Sequence, residues 1–458
     1  MEECERIKVK SVTDMTTGNP MKLLLKFAFP LIITNLGQQL YMIIDASIVG
    51  HGVGVKALAS VGATDWCYWM VLWTVQSITQ GFSTFIAGYF GKKDYYNLNK
   101  VIAASIELCV VIGIVISISG PFFARPLLNF LQTPDDICTG AVLYLSILLA
   151  GTIIVIAYNM SAAILRAFGN GKAPLFAMCI AALLNIFLDI VFVLKFHMGI
   201  AGAALATLLS QLIAFLFCLH EIQKLECVQV TREMFTPNPR LIWKLCSFSL
   251  PLAFQHLLIG ASGMALQSSV NMQGSMFVAG YTAYNKIFGL LESSALSLGF
   301  AATTYTAQNW GARNRERLKT GAKDSIFVAV AIAAGLFIIL QFASTPLMYL
   351  FIDQTETSAK MAMKIGKHFL QTMSYFMIVL YLLDIFRALT QGMENSVYSM
   401  TSGIIESAIR VISSKYMLMF FGVEIIYYVE PLSWCGAMLV IIWGYFRICK
   451  KAKLFSKS

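Results

Sequence analysis

Two aspartates stand where charge is expensive. Asp45 follows the apolar run LYMII, and Asp189 lies inside LLNIFLDIVFV. A charged side chain at the centre of a bilayer costs about 2.5–3.5 kcal/mol on insertion scales, so it is kept where it works or where it is partnered. Asn185 precedes Asp189 by four residues, which puts the amide and the carboxyl on one helix face. Thr207 lies in the next apolar run. Counted inward at 1.5 Å per residue, Asp45, Asp189 and Thr207 share a depth of about 9–10 Å. Oxygens from Asp45, Asn185, Asp189 and Thr207 suit a hard cation such as Na⁺, by the logic that governs Ca²⁺ sites. They suit equally a proton shared between desolvated carboxyls. The competing reading is a hydrogen-bonded pair that glues helices together.

A second group of charges occupies the C-terminal half: Asp384, Glu406, Arg410 and Glu430. Glu406 and Arg410 are spaced i,i+4 and are expected to pair within one helix. That pair is either structural or part of a second coupling or substrate-charge site with Asp384 and Glu430. Lys286 and Glu292 are expected to pair as well.

The elements that position these residues follow from composition. Of 458 residues, 58% are hydrophobic and 13% charged, against about 25% charged in soluble domains. Apolar runs of roughly 20 residues, the length of a membrane-crossing helix, recur along the chain. Twelve spans are read at 24–50, 61–87, 101–121, 139–164, 174–194, 200–220, 246–270, 282–308, 323–343, 366–388, 396–419 and 427–448. Landmarks also repeat: Pro30 and Pro251 are 221 apart, Gly91 and Gly311 220, Pro126 and Pro346 220, and Gly169 and Gly392 223. The expected fold is therefore an all-α membrane protein of twelve transmembrane helices in two pseudo-symmetric six-helix lobes, a parallel repeat. The expected organisation is a cytoplasmic segment 1–20, an N-lobe 21–220, a cytoplasmic linker 221–245, a C-lobe 246–448 and a cytoplasmic tail 449–458.

No secretory signal is read in residues 1–20. With both termini inside, 25 Lys and Arg fall in cytoplasmic segments and seven in outer ones, Arg166 and Arg387 being counted inside. That bias accounts for the net charge of +10 without nucleic acid. It also favours contact with anionic membrane lipids near Lys450, Lys451 and Lys453. The ten cysteines include no C-x-x-C pair and read as small buried hydrophobes. Phosphate-loop, nucleophile-elbow and metal motifs are missing, so no cofactor and no enzyme is expected, and transport would draw on an ion gradient. One charge crossing 100 mV is worth about 2.3 kcal/mol.

The stretches GNPMKLLLKFAFPLI, QQLYMIIDASIVG, TQGFSTFIAGYFGKKD, NMSAAILRAFGNGKAP, LLNIFLDIVF and GIAGAALATLLSQ, in that order, resemble the multidrug and toxic compound extrusion (MATE) family, most closely its bacterial DinF-like branch. The resemblance implies H⁺- or Na⁺-driven export of organic, often cationic, compounds by alternating access. It implies cation coupling at Asp45, Asn159, Asn185, Asp189 and Thr207, although Asn159 lies nearer the cytoplasm by depth. Gln38, Tyr41, Tyr144 and Met178 match pocket-lining positions, and Pro30 matches the proline at which the first helix bends. The seventh helix, LPLAFQHLLIGASGMALQ, lacks the acidic residue of the NorM-like branch, which leaves Asp384, Glu406, Arg410 and Glu430 as a secondary cluster. The expected partners are small cationic or amphipathic molecules and lipids, with the chain a monomer. The competing readings are a lipid-linked precursor flippase of the related superfamily and a non-transporting scaffold.

Overall fold

The computed structural model describes residues 12–236, 238–350 and 359–454. Every regular element among them is helical. The N-terminal half holds α1 (Pro20–Gly52), α2 (Val55–Gly91), α3 (Tyr95–Phe130), α4 (Asp135–Ala150), α5 (Thr152–Ala167), α6 (Lys172–Asp189) and α7 (Gly199–Gln223). The C-terminal half holds α8 (Pro239–Asn271), α9 (Ser275–Gly311), α10 (Arg315–Tyr349), α11 (Ala359–Gly392), α12 (Val397–Ile412), the single turn α13 (Leu418–Phe421) and α14 (Val429–Lys451). α4 and α5 meet at Gly151 with a bend of 48° and form one broken span. Six spans per half give the expected twelve transmembrane helices in two lobes.

Hydropathy alone does not expose all twelve. Nine stretches among the described residues are long and apolar enough to cross a membrane, the α4–α5 pair adds a tenth, and Val397–Lys451 contains both α12 and α14. The remaining span, α2, hides polar side chains. Thr64, Ser77, Thr79, Gln80, Ser83 and Thr84 are buried in it. Thr64, Thr79 and Ser83 donate their hydroxyls to carbonyls of α2 itself, which satisfies them without water. The helices are also longer than the apolar runs that announce them. α3 has 36 residues, about 54 Å at 1.5 Å per residue, so its ends project beyond the hydrocarbon.

The duplication is visible in backbone conformation. Gly54 and Gly274, each just before the second helix of its half, both have positive φ. The turns GKKD and GARN place Lys93 and Arg313 in the left-handed region, at φ 59° and 54°. Asp94 and Asn314 then cap the following helices, accepting from the amides of Asn97 and Arg317. After Asp189 the chain makes a π turn over Ile190–Lys195, and α12 runs into a second π turn over Ser413–Met417. Such turns insert one extra residue per ring into an α-helix and cluster at functional places.

Two compact units emerge. Of the described residues, one comprises those up to Met15 with those from Phe29 to Ala253, the other Thr16–Ala28 with those from Phe254 onward. α1 passes from one unit to the other two residues before Pro30. α8 does so after Ala253, two residues past Pro251. Within the first unit, Val49, Ala57, Val61, Leu148, Val193 and Ala203 build a core. In the second, Tyr284 stacks on Phe288 and Phe369, Tyr281 meets Phe369 edge-on, and Gly280 and Gly366 let α9 and α11 approach closely.

Candidate functional site

In the first unit, α1 delivers Asp45 and the end of α6 delivers Asp189. Asp45 is 8%, Asn185 1% and Asp189 0% exposed. The carboxyls of Asp45 and Asp189 are near enough to interact directly, and Asp65 of α2 acts on Asp45 through its charge. Asp45 Oδ1, both carboxyl oxygens of Asp189 and both amide atoms of Asn185 are buried without a hydrogen-bond partner among the described residues. Leaving such atoms unmet costs about 1–3 kcal/mol each.

Beside it, α6 and α7 enclose a small cavity lined by Met178, Ala181, Asn185, Thr207, Ser210 and Gln211. Asn185 and Thr207, read from the sequence as ion ligands, thus meet Met178, read as a pocket residue. Thr207 donates its hydroxyl to the carbonyl of Ala203 at 3.1 Å, leaving its oxygen free to accept. The remaining predicted residues sit elsewhere. Asn159 does not line this cavity, and its amide donates to the carbonyl of Val155 in its own helix at 2.9 Å. Tyr144 packs into the apolar core with Leu148, Val193 and Ala203. Gln38 is half-buried on α1, and the side chain of Tyr41 lies outside the described residues. Pro30 sits inside α1, and Thr34 donates its hydroxyl to the Pro30 carbonyl at 2.8 Å.

In the second unit a buried ion network joins α8, α11 and α12. Glu406 accepts from Arg387 Nη2 at 2.7 Å and from Arg410 Nη2 at 2.9 Å. Arg387 Nε donates to Ser402 Oγ at 2.9 Å, and Arg410 Nη1 donates to the carbonyl of Ile259 at 3.2 Å. The i,i+4 pair is present, but a second arginine shares its carboxylate. Arg387, counted as a cytoplasmic cation, is instead buried in the lobe. Arg166, counted likewise, is buried in the last turn of α5. Glu430 takes a hydrogen bond of 2.8 Å from the Tyr284 hydroxyl. Asp384 is half-buried, and Arg387 and Glu406 act on it through charge. Lys286 makes no ion pair with Glu292. It is exposed, and the charges acting on Glu292 are those of Glu430, Asp384, Arg410 and Glu406. Six residues along a helix turn by 600°, which puts the two side chains 120° apart. The nine cysteines among the described residues are free thiols.

Sequence reasoning overlooked Ser210, Gln211 and Arg387. Thr207 and Gln211 share the i,i+4 spacing that singled out Asn185 and Asp189, so that signal was present.

Comparison with known proteins gives a consistent result. A family model described as MatE matches residues 30–191 and 251–417. The probable multidrug resistance protein YpnP of Bacillus subtilis is 29% identical over 79% of this chain and 80% of its own length. The probable multidrug resistance protein NorM of Thermotoga maritima is 23% identical over 73% of each. Among solved structures, a MATE protein in the bent conformation superposes with a TM-score of 0.87 at 24% identity, covering 95% of this chain and 97% of that one. A MOP superfamily transporter from Pyrococcus furiosus Vc1, described as having a binding pocket of reverse polarity that suggests a different function, superposes with a TM-score of 0.86 at 25% identity over 97% and 98%. With matches in both halves and a multi-pass helical fold to carry them, the chain belongs to the MatE family, whose members are membrane transporters and not enzymes.

Proposed function

We propose that this protein exports organic, cationic or amphipathic compounds from the cell in exchange for H⁺ or Na⁺, by alternating access. Support comes from one observation above the rest: Asp45, Asn185 and Asp189 bring five buried, unpartnered polar atoms together beside a cavity that also takes in Met178. Named relatives are multidrug resistance proteins, which supplies the substrate class. In the outward-facing state a cation enters between Asp45 and Asp189 and the drug leaves. In the inward-facing state the cation departs and a new drug molecule loads. Two carboxylates with neutral oxygens match a monovalent ion, and no group of three acidic, histidine or cysteine ligands occurs among the described residues. The proposed topology places both termini in the cytoplasm of a cell-membrane monomer, with N-lobe 21–220 and C-lobe 246–448 flanking a cytoplasmic linker at 221–245. A precursor flippase would need unspent cations in its cavity, whereas Arg387 and Arg410 both serve Glu406.

The test is ethidium accumulation in energised inverted vesicles under separate ΔpH and Na⁺ gradients, with wild type, Asp45→Asn and Asp189→Asn. Wild type is expected to respond to one gradient and both variants to fail. An Asp189→Asn protein that accumulates ethidium like wild type overturns the coupling assignment and moves attention to Asp384, Glu406 and Glu430.

A further inference from the structure

The cavity between α6 and α7 holds polar atoms beyond those of the coupling residues Asn185 and Thr207, namely those of Ser210 and Gln211. Asn185, one turn from Asp189, presents an unpartnered carbonyl oxygen and amide nitrogen, and Gln211 Oε1 is buried without a partner. Thr207 and Ser210 spend their protons on Ala203 and Ala206 of their own helix, at 3.1 and 2.7 Å. Their oxygens keep lone pairs for the cavity. Four acceptors and one amide donor thus line one space, closed on its apolar side by Met178 and Ala181. A buried amide atom left unmet is destabilising, so a Gln at 211 where Leu or Met would pack is a standing cost.

The group has direction. Along α6 the lining runs from Asn185 back to Met178, away from Asp189 and toward Lys172. Asp189 and Met178 are about 16 Å apart along the axis at 1.5 Å per residue. On α7, Thr207 and Gln211 face the same way, one turn apart, with Gln211 nearer Gln223. We infer that this polar seam is the passage by which the coupling ion moves between Asp189 and the Lys172–Gln223 end of the lobe, with Gln211 as its inner relay. The inference rests on the coupling reading above, in which that end is cytoplasmic. Gln211 holds no titratable proton. It accepts through Oε1 and donates through Nε2, orienting a hydrated ion as it passes. For H⁺, the proton leaves Asp189 for water and travels as hydronium, with the carboxylate left behind. For Na⁺, the same oxygens replace part of the hydration shell. Around Asp189 the charged group that acts on it is Asp45, and Asp65 acts on Asp45 in turn.

The test uses the full-length protein in proteoliposomes, with Gln211→Leu, Gln211→Met and Gln211→Asn beside Asp189→Asn. Two quantities are read: ethidium affinity by fluorescence polarisation, and ethidium flux driven by the gradient that wild type uses. The two apolar variants are expected to bind ethidium within about twofold of wild type while flux falls about tenfold, the loss of one partnered interaction on the transport path. Gln211→Asn is expected to recover part of the flux. Met matches Gln in length and shape, so it reports if Leu fails to fold. Wild-type flux in Gln211→Met overturns the passage. A matched loss of affinity and flux also overturns it, because the cavity is then a substrate subsite. Wild-type flux in Asp189→Asn instead removes the coupling reading itself, whatever Gln211 does.

Discussion

Replacing Glu406 by Gln tests whether the C-lobe network is held by charge. Its carboxylate takes one hydrogen bond from each of two guanidinium groups, at 2.7 and 2.9 Å, and Arg387, Glu406 and Arg410 are all less than 10% exposed. Hydrogen bonds to charged groups contribute about 1.5–3 kcal/mol apiece. Removing one partner of a buried ion pair costs about 3–5 kcal/mol, because the remaining charge stays desolvated. The variant keeps one carbonyl to accept from one arginine, but its NH₂ then faces the other, a donor opposed to a donor. The expected loss is therefore about 4 kcal/mol, the middle of that range. For a cooperative unit of about 200 residues, each kcal/mol shifts the melting midpoint by about 2–4 °C, so a fall of about 8–16 °C is expected. Intrinsic tryptophan fluorescence of the detergent-solubilised protein during a thermal ramp, with size exclusion to score aggregation, reads this directly. A triple exchange of Arg387, Glu406 and Arg410 to apolar residues of similar size is expected to recover only part of the loss, since it removes the stranded guanidiniums but takes from Asp384 and Glu430 the arginine charges that act on them. A Glu406→Gln protein melting within 2 °C of wild type refutes the reasoning, and places both guanidiniums in contact with water.

Other perturbations address different parts of the molecule. Gly280→Ala puts a Cβ 2.5 Å from the Ala362 carbonyl oxygen; because backbone must shift, a loss of about 1–3 kcal/mol is expected in the same thermal assay. Asp94→Ala removes the cap of α3, which costs about 1 kcal/mol. The Asn97 side-chain hydrogen bond, with Lys92 assisting, holds the Asp94 carboxyl below its ordinary value. Its contribution is thus complete above about pH 4, the unfolded value, and fades as pH falls through the lower folded value. The melting difference between wild type and variant is expected to be constant from pH 8 to 5 and to shrink in more acid buffer. Arg317→Ala deletes donations to the carbonyls of Gly18 and Thr17, at 2.7 and 3.3 Å. Faster proteolysis near residue 18, read by mass spectrometry, is the expected outcome.

How much of this could be read from the sequence varies by feature. The twelve-span count and the duplication were legible because they rest on long apolar runs and on Pro and Gly landmarks, which backbone geometry forces to recur. The Asp189–Asn185 face was legible because i,i+4 spacing fixes it. Arg387 was not. It ends an apolar run and so resembles a loop cation, and only the close passage of α12 reveals Glu406 and Ser402 as its partners. Gln211 was missed for a related reason: a neutral amide in an apolar run carries little insertion cost, so it raises no alarm until its missing partner is seen. Tyr144 shows the converse. A polar aromatic in a span suggests a pocket wall, yet it packs against Leu148 and Val193.

The π turns are paired across the two halves. Each adds one residue to a helical ring, and they begin 223 positions apart, the offset that also separates Gly199 from Gly422, both in the left-handed region. The turns thus fall at matching places in the two halves. The side chains before the turns differ between the halves: Asn185 and Asp189 in the first and, at an offset of 221 rather than 223, Glu406 and Arg410 in the second. A backbone irregularity that both halves share thus lies next to a buried carboxyl and a polar cavity in the first half, and next to a sealed ion network in the second.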